Sequence, residues 1–252
     1  MNDQSTLRDL AAALRTHGVC AYPNEACGLV LGLPTGKTEI VQCENTHDTP
    51  SQFFRISRIE YTKQADRGKI VGIWHTHPNG RHDFSEADKV GCEVSGVPWY
   101  VMSLLKRSDD DTFDYGPIKH MEPSGFKMPY TGRPYVPGVF DCWTLVIDWF
   151  AREHGIKIRN YPYTLADGSP GATLFAAHYR DEGFVRVINE TPRPGDVFFI
   201  QDPSSLVPNH AAIFVGDDRI LHHTLNRLSK HDVYGGYYLK HTVIHARHKE
   251  LM

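Results

Sequence analysis

Two groups of residues in this chain have the types and spacing that hydrolysis needs. The first reads His75-Thr76-His77-Pro78, six further residues, then Ser85-Glu86-Ala87-Asp88, with a glutamate upstream in Asn24-Glu25-Ala26-Cys27-Gly28-Leu29. In a strand over 70–77, alternation would put Val71, Ile73, His75 and His77 on one face, so that two imidazoles can grip a single ion. Pro78 and Gly80 turn the chain, and the helix that follows brings Asp88 within reach. Two histidines and one carboxylate leave a fourth tetrahedral position open, as a catalytic zinc requires. The water there becomes a nucleophile near neutral pH. Glu25 is the natural acceptor of its proton, and Ser85 can donate to the developing oxyanion. Ser85-Glu86-Ala87-Asp88 also reads as an ordinary helix start, with Ser85 as N-cap and Asp88 in the first turn. Cys27 reads as a small buried residue rather than a ligand. Manganese or iron would suit similar ligands.

The second group centres on Cys142 in Phe140-Asp141-Cys142-Trp143-Thr144-Leu145. It starts an apolar helix, where unpaired N–H groups and the helix dipole are expected to lower a thiol pKa. A thiolate also needs an imidazole as ion-pair partner and as acid for the leaving amine. His210, in Asn209-His210-Ala211-Ala212-Ile213, opens an apolar strand, and His222 lies on the next strand of the expected hairpin. In that geometry His210 faces Cys142, and His222 orients it through its other nitrogen. His223 is the rival, since the turn register decides which of the two faces inward. The other histidines, His47 and His82 among them, read as surface residues, with His82 close enough to the metal motif to touch substrate.

The elements needed to hold these groups can be traced along the chain. Leu7, Leu10, Ala11 and Leu14 form a helical stripe that Gly18 is expected to stop. Strands follow over 27–33 and 38–43, a helix over 58–69, a strand over 70–77, a helix over 85–94 and a strand over 99–105. From Asp109 to Pro137 the chain is rich in Asp, Gly, Pro and Lys, the composition of a boundary. Beyond it lie a helix over 142–154, ended by Gly155, and strands over 196–201, 210–215 and 219–223. The expected architecture is two domains, an α/β domain over 1–115 and an α+β domain over 131–252, joined by a linker over 116–130.

Both groups match known families. Glu25 with His75-Thr76-His77-Pro78, Ser85 and Asp88 resembles the JAMM (MPN+) metallopeptidases, over roughly residues 1–115. The resemblance implies one zinc ion per chain held by His75, His77 and Asp88, with Glu25 as general base and Ser85 assisting the oxyanion. The Gly138–Val146 stretch, Arg193-Pro194-Gly195-Asp196 and Asn209–Gly216 resemble the NlpC/P60 cysteine peptidases, which share a papain-like core and commonly cut γ-glutamyl bonds in peptidoglycan stem peptides. This implies Cys142 as nucleophile, His210 as base and His222 as the third polar residue. Tyr130, or less closely Tyr135, matches an assisting tyrosine. Trp143-Thr144 departs from the family's usual small residues, and a bulky Trp143 is expected to narrow the cleft.

The order of the two families resembles tail tip assembly proteins of lambda-like, long-tailed phages. That implies synthesis in the cytoplasm of the infected host and other tail tip proteins as partners. Retention at the virion tail tip is a further expectation. Peptidoglycan stem peptides or a tail protein with a ubiquitin-like fold would be the substrates. The alternatives are a non-catalytic tail assembly scaffold and a bacterial peptidase acting on ubiquitin-like conjugates.

Bulk composition agrees with a soluble globular protein. In 252 residues, 27 Lys and Arg stand against 30 Asp and Glu, a net charge of −3 that gives no support to a nucleic-acid partner. Five cysteines, an odd number at irregular spacing, do not form a disulfide framework. No apolar run is long enough to span a bilayer, and Met1-Asn2-Asp3-Gln4 lacks the pattern of a secretory leader.

Overall fold

A computed structural model describes residues 4–80, 82–161 and 177–252. The leader reading of the first residues therefore falls largely outside the described chain. The fold divides into two units, Met1–Lys127 and Met128–Met252.

Unit 1 is built on a mixed sheet. Its strands are β1 (Cys27–Gly32), β2 (Thr38–Cys43), β3 (Lys69–Pro78), β4 (Trp99–Lys106), β5 (Phe113–Tyr115) and β6 (Lys119–Met121). The order is β2-β1-β3-β4-β5, with β6 also pairing β4. Only β3 and β4 run parallel among the paired strands, and α3 (Glu86–Ser95) makes the crossover between them. Strands β5 and β6 fall in the Asp109–Pro137 stretch, whose composition alone reads as a boundary.

Helix α1 (Gln4–Ala21) covers one face of the sheet, where Leu10 and Leu14 pack with Ala26, Val30, Trp74, Tyr100 and Met102. It does not stop at Gly18. The buried line runs through Thr6, Leu10, Leu14 and Gly18, a spacing of four, and Leu7 is left exposed. A Cβ at Gly18 would sit 3.1 Å from Leu104 Cδ2 and 3.2 Å from Thr76 Cγ2. Glycine serves there as the point of closest approach between helix and sheet, and its cost in helix propensity is offset by that packing. On the other face Cys27, Leu29, Leu31, Ile73 and Trp99 pack with Cys92 of α3 and Tyr61 of α2 (Arg58–Ala65).

The strict alternation expected along β3 fails at its start. Val30 opposes Gly72 while Leu31 opposes Ile70, so Val71 is the extra residue of a bulge. A bulge inverts the inside–outside pattern on its far side. Val71 accordingly packs with Trp74 on the α1 face, and Ile73 on the opposite one. Beyond the bulge the alternation resumes and carries His75 and His77 together.

Unit 2 holds α4 (Cys142–His154) against an antiparallel sheet. The strands are β7 (Phe184–Arg186), β8 (Val197–Ile200), β9 (His210–Gly216), β10 (Arg219–His222), β11 (Lys230–Val233) and β12 (Thr242–His248), in the order β11-β10-β9-β8-β12-β7. Short helix α5 (Gly236–His241) links the last two strands in sequence. Leu145, Val146 and Phe150 of α4 close the core over Phe199, Ala211, Ile213 and Leu221. Asp141 caps α4 in a reciprocal box with Thr144, and Gly155 ends it in the left-handed conformation. The cysteines are free thiols, with only Cys20 exposed. No helix among the described residues is long and apolar enough to cross a membrane.

Candidate active sites

In unit 1, β3 delivers His77 to the lining of a cleft of about 470 Å³, with His75 fully buried next to it. Their Nε2 atoms face each other at 3.0 Å. Asp88 reaches both from α3, with Oδ1 3.4 Å from His75 Nε2 and Oδ2 3.4 Å from His77 Nε2. Glu25, just before β1, places Oε1 3.9 Å from His77 Nε2. All four side chains are buried. Ligand atoms of Glu25, His75 and His77 lie within 4.8 Å of one another, so the residue read as a base sits inside the donor cluster itself.

The electrostatics suit a cation. Burial pushes the His75 imidazole below its ordinary value, against the pull of Asp88, and keeps it in the neutral form that ligates metals. Burial also opposes ionisation of Asp88, but the two histidines outweigh it and hold the carboxyl well below its usual range. Two buried carboxylates against two imidazoles form a donor set that a divalent ion neutralises. The residues present therefore fit zinc. His75 Nδ1 is buried with no hydrogen-bond partner among the described residues. Its ring is held instead by stacking on Phe54 at 4.7 Å and by the edge of Trp99 at 5.7 Å.

Ser85 is the N-cap of α3. Its Oγ accepts from the Asp88 amide at 3.1 Å and donates to Asp88 Oδ2 at 2.7 Å, and its own amide donates to the same oxygen at 2.7 Å. The capping arrangement is thus present and aims Asp88 at the histidines. Ser85 also lines the cleft together with Glu25, Phe53, His77 and Asp88.

Of the two histidines read as surface residues, His82 is exposed and His47 is not. His47 is buried rather than on the surface, with Nδ1 3.0 Å from the Thr49 amide and its ring against Phe53. His82 is exposed and bonds Ser103 Oγ at 2.5 Å, and it is not among the residues that line the cleft.

Asn45 is a residue that motif reading passes over. Its Nδ2 donates to the carbonyls of Glu25 (3.0 Å) and Phe53 (3.0 Å), and its Oδ1 accepts from the amides of His47 and Arg55, both at 3.1 Å. One carboxamide thereby ties the cleft wall to the backbone of Glu25. Asn45→Ala removes a partner of roughly 1 kcal/mol from each amide, so exchange at His47 and Arg55 is expected to accelerate about fivefold. Hydrogen exchange read by NMR checks this, and unchanged rates would show that the loop does not rest on Asn45.

In unit 2, Cys142 opens α4 and His210 opens β9, the strand on which α4 packs. The backbone N–H groups of Ala211, Trp143 and Cys142 itself favour the thiolate. Burial outweighs them, with the Asp141 charge adding to it, and the thiol is pushed up to about 12. The expected lowering at a helix N-terminus is therefore overturned by burial. Burial, with the neighbouring His222 and His223, pushes His210 down to about 3. The resting site favours a neutral thiol beside a neutral imidazole.

His210 Nε2 lies 3.0 Å from His222 Nδ1 across the hairpin. His223 points elsewhere, with Nε2 on the Arg227 carbonyl at 3.0 Å and its ring against Tyr135. Tyr130 is not brought to the cysteine. Its hydroxyl donates to Glu153 at 2.7 Å, which lies about 16 Å along α4 from Cys142 at the helical rise per residue. Trp143 does not narrow a cleft either. It is 2 % exposed, packs toward Phe184 and Phe199 in the core, and donates Nε1–H to the Arg159 carbonyl. The first residue of a helix and the one after it point in different directions, and here the second points inward.

Comparison with known proteins follows the same division. Residues 7–114 match the family described as prokaryotic homologs of the JAB domain, and residues 132–247 match the NlpC/P60 family. Over 241 residues the chain is 30% identical to tail tip assembly protein K of Escherichia phage N15, covering 95% of this chain and 94% of that one. It is 33% identical over 183 residues to tail tip assembly protein K of Escherichia phage lambda, covering 73% and 84%. Among solved structures, an NlpC/P60 family protein from Bacillus cereus is 14% identical with a TM-score of 0.33, over 90% of this chain and 64% of that one. A solution structure of a Desulfitobacterium hafniense protein is 20% identical with a TM-score of 0.30, over 47% and 87%.

Proposed function

The chain belongs to the tail tip assembly protein K family, and on that premise we propose that it is a peptidase with two hydrolytic centres, one metal-dependent and one thiol-dependent. The observation that carries this reading is convergence. Side chains of Glu25, His75, His77 and Asp88, spread over the sequence, meet in one buried cluster with polar atoms 3.0 to 3.9 Å apart, and His210 and His222 meet beside the helix that begins at Cys142. Membership in a phage family also leaves the bacterial conjugate peptidase without support.

In unit 1, His75, His77 and Asp88 would hold zinc, because Asp88 is equally close to both imidazoles while Glu25 stands off on the His77 side. A zinc ion supplies a Lewis acid for the scissile carbonyl and an acidified water. Glu25 accepts a proton and returns it to the leaving amine nitrogen. Ser85 turns its hydroxyl from Asp88 to the carbonyl oxygen as charge builds there. A tail protein, with a ubiquitin-like fold as the expected class, is the substrate.

In unit 2 the Cys142 sulfur attacks the peptide carbonyl. Since burial keeps thiol and imidazole neutral, the proton passes to His210 during attack rather than before it. His210 returns that proton to the leaving nitrogen, and water then cleaves the thioester. The substrate is a γ-glutamyl bond in peptidoglycan stem peptides.

Replacing Glu25 by Gln in the phage tests the peptidase against the scaffold. The expected result is loss of a shortened tail protein from infected lysates, with infectious titre down by about 100-fold or more, as for the loss of a general base. Normal titre with the tail proteins unchanged from wild type would return the unit to a scaffold role.

A further inference from the structure

His222 has a second partner that the sequence pattern does not include. Its Nε2 lies 3.1 Å from Asp232 Oδ2 on β11, the neighbouring strand of the same sheet. Tyr238 of α5 donates to the same oxygen at 3.0 Å, Lys230 Nζ lies 2.8 Å away, and the Tyr238 ring stands edge-on to the imidazole at 4.9 Å. Tyr238 and Lys230 together hold the carboxylate against His222.

An inventory of protons then fixes the direction of the chain. An ionised carboxylate only accepts, so His222 must carry its proton on Nε2. His222 Nδ1 is then a bare acceptor, and the atom opposite it, His210 Nε2, must be the donor. The remaining ring nitrogen of His210, Nδ1, is left unprotonated. We propose that Asp232 is a positioning residue of the cysteine centre, one that sets the tautomers of His222 and His210 so that the basic nitrogen of His210 is Nδ1. The proposal rests on the peptidase reading of unit 2, and it explains why a histidine serves as the third polar residue here. A histidine can pass on an orientation imposed from its far side.

Burial opposes ionisation of Asp232, but Lys230, Tyr238 and His222 outweigh it and keep the carboxyl below its ordinary value, which leaves it an acceptor. An ordinary surface ion pair between Asp232 and Lys230 would exist without the Tyr238 hydroxyl or the His222 contact, and it would not fix either tautomer.

The test is Asp232→Leu, close to aspartate in shape but unable to accept a hydrogen bond, with Asp232→Glu beside it. Imidazole nitrogen–proton correlation spectra should show Nε2–H on both His210 and His222 in the wild type. In Asp232→Leu nothing on β11 accepts from His222 Nε2, so the Nε2–H form of His222 loses its anchor and the Nδ1–H forms of both His222 and His210 become populated. Muropeptide cleavage should lose about 100-fold in kcat with KM within about twofold, less than the roughly 10,000-fold cost of a carboxylate that touches the base directly. Asp232→Glu should restore most of it. Alkylation of Cys142 should slow in parallel, with Cys20 in the same digest as control.

Unchanged tautomers in Asp232→Leu, or a wild-type His222 protonated on Nδ1, would overturn the proposal while leaving the peptidase reading intact. A wild type with these tautomers but no cleavage would overturn the peptidase reading and leave the assignment of Asp232 standing.

Discussion

Replacing Cys142 by alanine is expected to lower cleavage of purified muropeptides by a factor of about a million, the loss seen when a nucleophile is removed from a catalytic unit. The side chain is small and the site is already buried, so the truncation costs packing of one sulfur in a core held by Phe150, Phe199 and Ile213. Folding should survive, because the Asp141–Thr144 box that starts α4 does not involve the thiol. Zinc content should be that of the wild type. Cys142→Ser keeps the shape and is expected to fare nearly as badly, since His210 would then have to deprotonate a hydroxyl, a weaker nucleophile than the thiol. Product analysis by mass spectrometry reads the result. Muropeptide cleavage surviving in Cys142→Ala would take the nucleophile away from unit 2.

Replacing His77 by alanine is expected to release the metal. His77 contributes the Nε2 that lies 3.0 Å from His75, 3.4 Å from Asp88 and 3.9 Å from Glu25, so it touches every other member of the cluster. Its loss leaves His75 and Asp88 with an open side toward the cleft, too few ligands for a tetrahedral site. Affinity for zinc should fall by at least about 100-fold, beyond the cost of losing an outer-shell partner. Equilibrium dialysis against a chelator series checks this. Processing by unit 1 should vanish with the metal, and muropeptide cleavage should not change. Retained stoichiometric zinc in His77→Ala would mean that the ion sits elsewhere.

Much of this was legible in the sequence, and what was not has physical causes. The motif residues of both candidate sites, and the elements that carry them, show through because metal or thiol chemistry would need fixed residue types and their strands and helices are strongly periodic. The pairing of His210 with His222 rather than His223 follows from the hairpin register, which the Gly216-Asp217-Asp218 turn restricts. Val71 escaped because a single-residue bulge leaves no compositional trace. Gly18 read as a stop because propensity sees one residue, whereas helix–sheet contact decides its place. The Cys142 thiol was expected low from the local helix end, yet burial by distant chain segments sets it high. Tyr130 lies at a fitting distance in sequence, but the chain before α4 carries it to the helix's far end. Asn45 and Asp232 carry no motif at all. Each matters for what it bonds in three dimensions, Asn45 to Glu25 and Asp232 to His222.

The central claim is that one chain holds two independent hydrolytic centres. The most direct measurement is zinc content together with muropeptide cleavage on the wild type, His77→Ala and Cys142→Ala. The account predicts about one zinc per chain, the stoichiometry of a single three-ligand site, lost only in His77→Ala, and cleavage lost only in Cys142→Ala. Cleavage lost in His77→Ala along with the metal would contradict it, since the two sites would then be one functional unit.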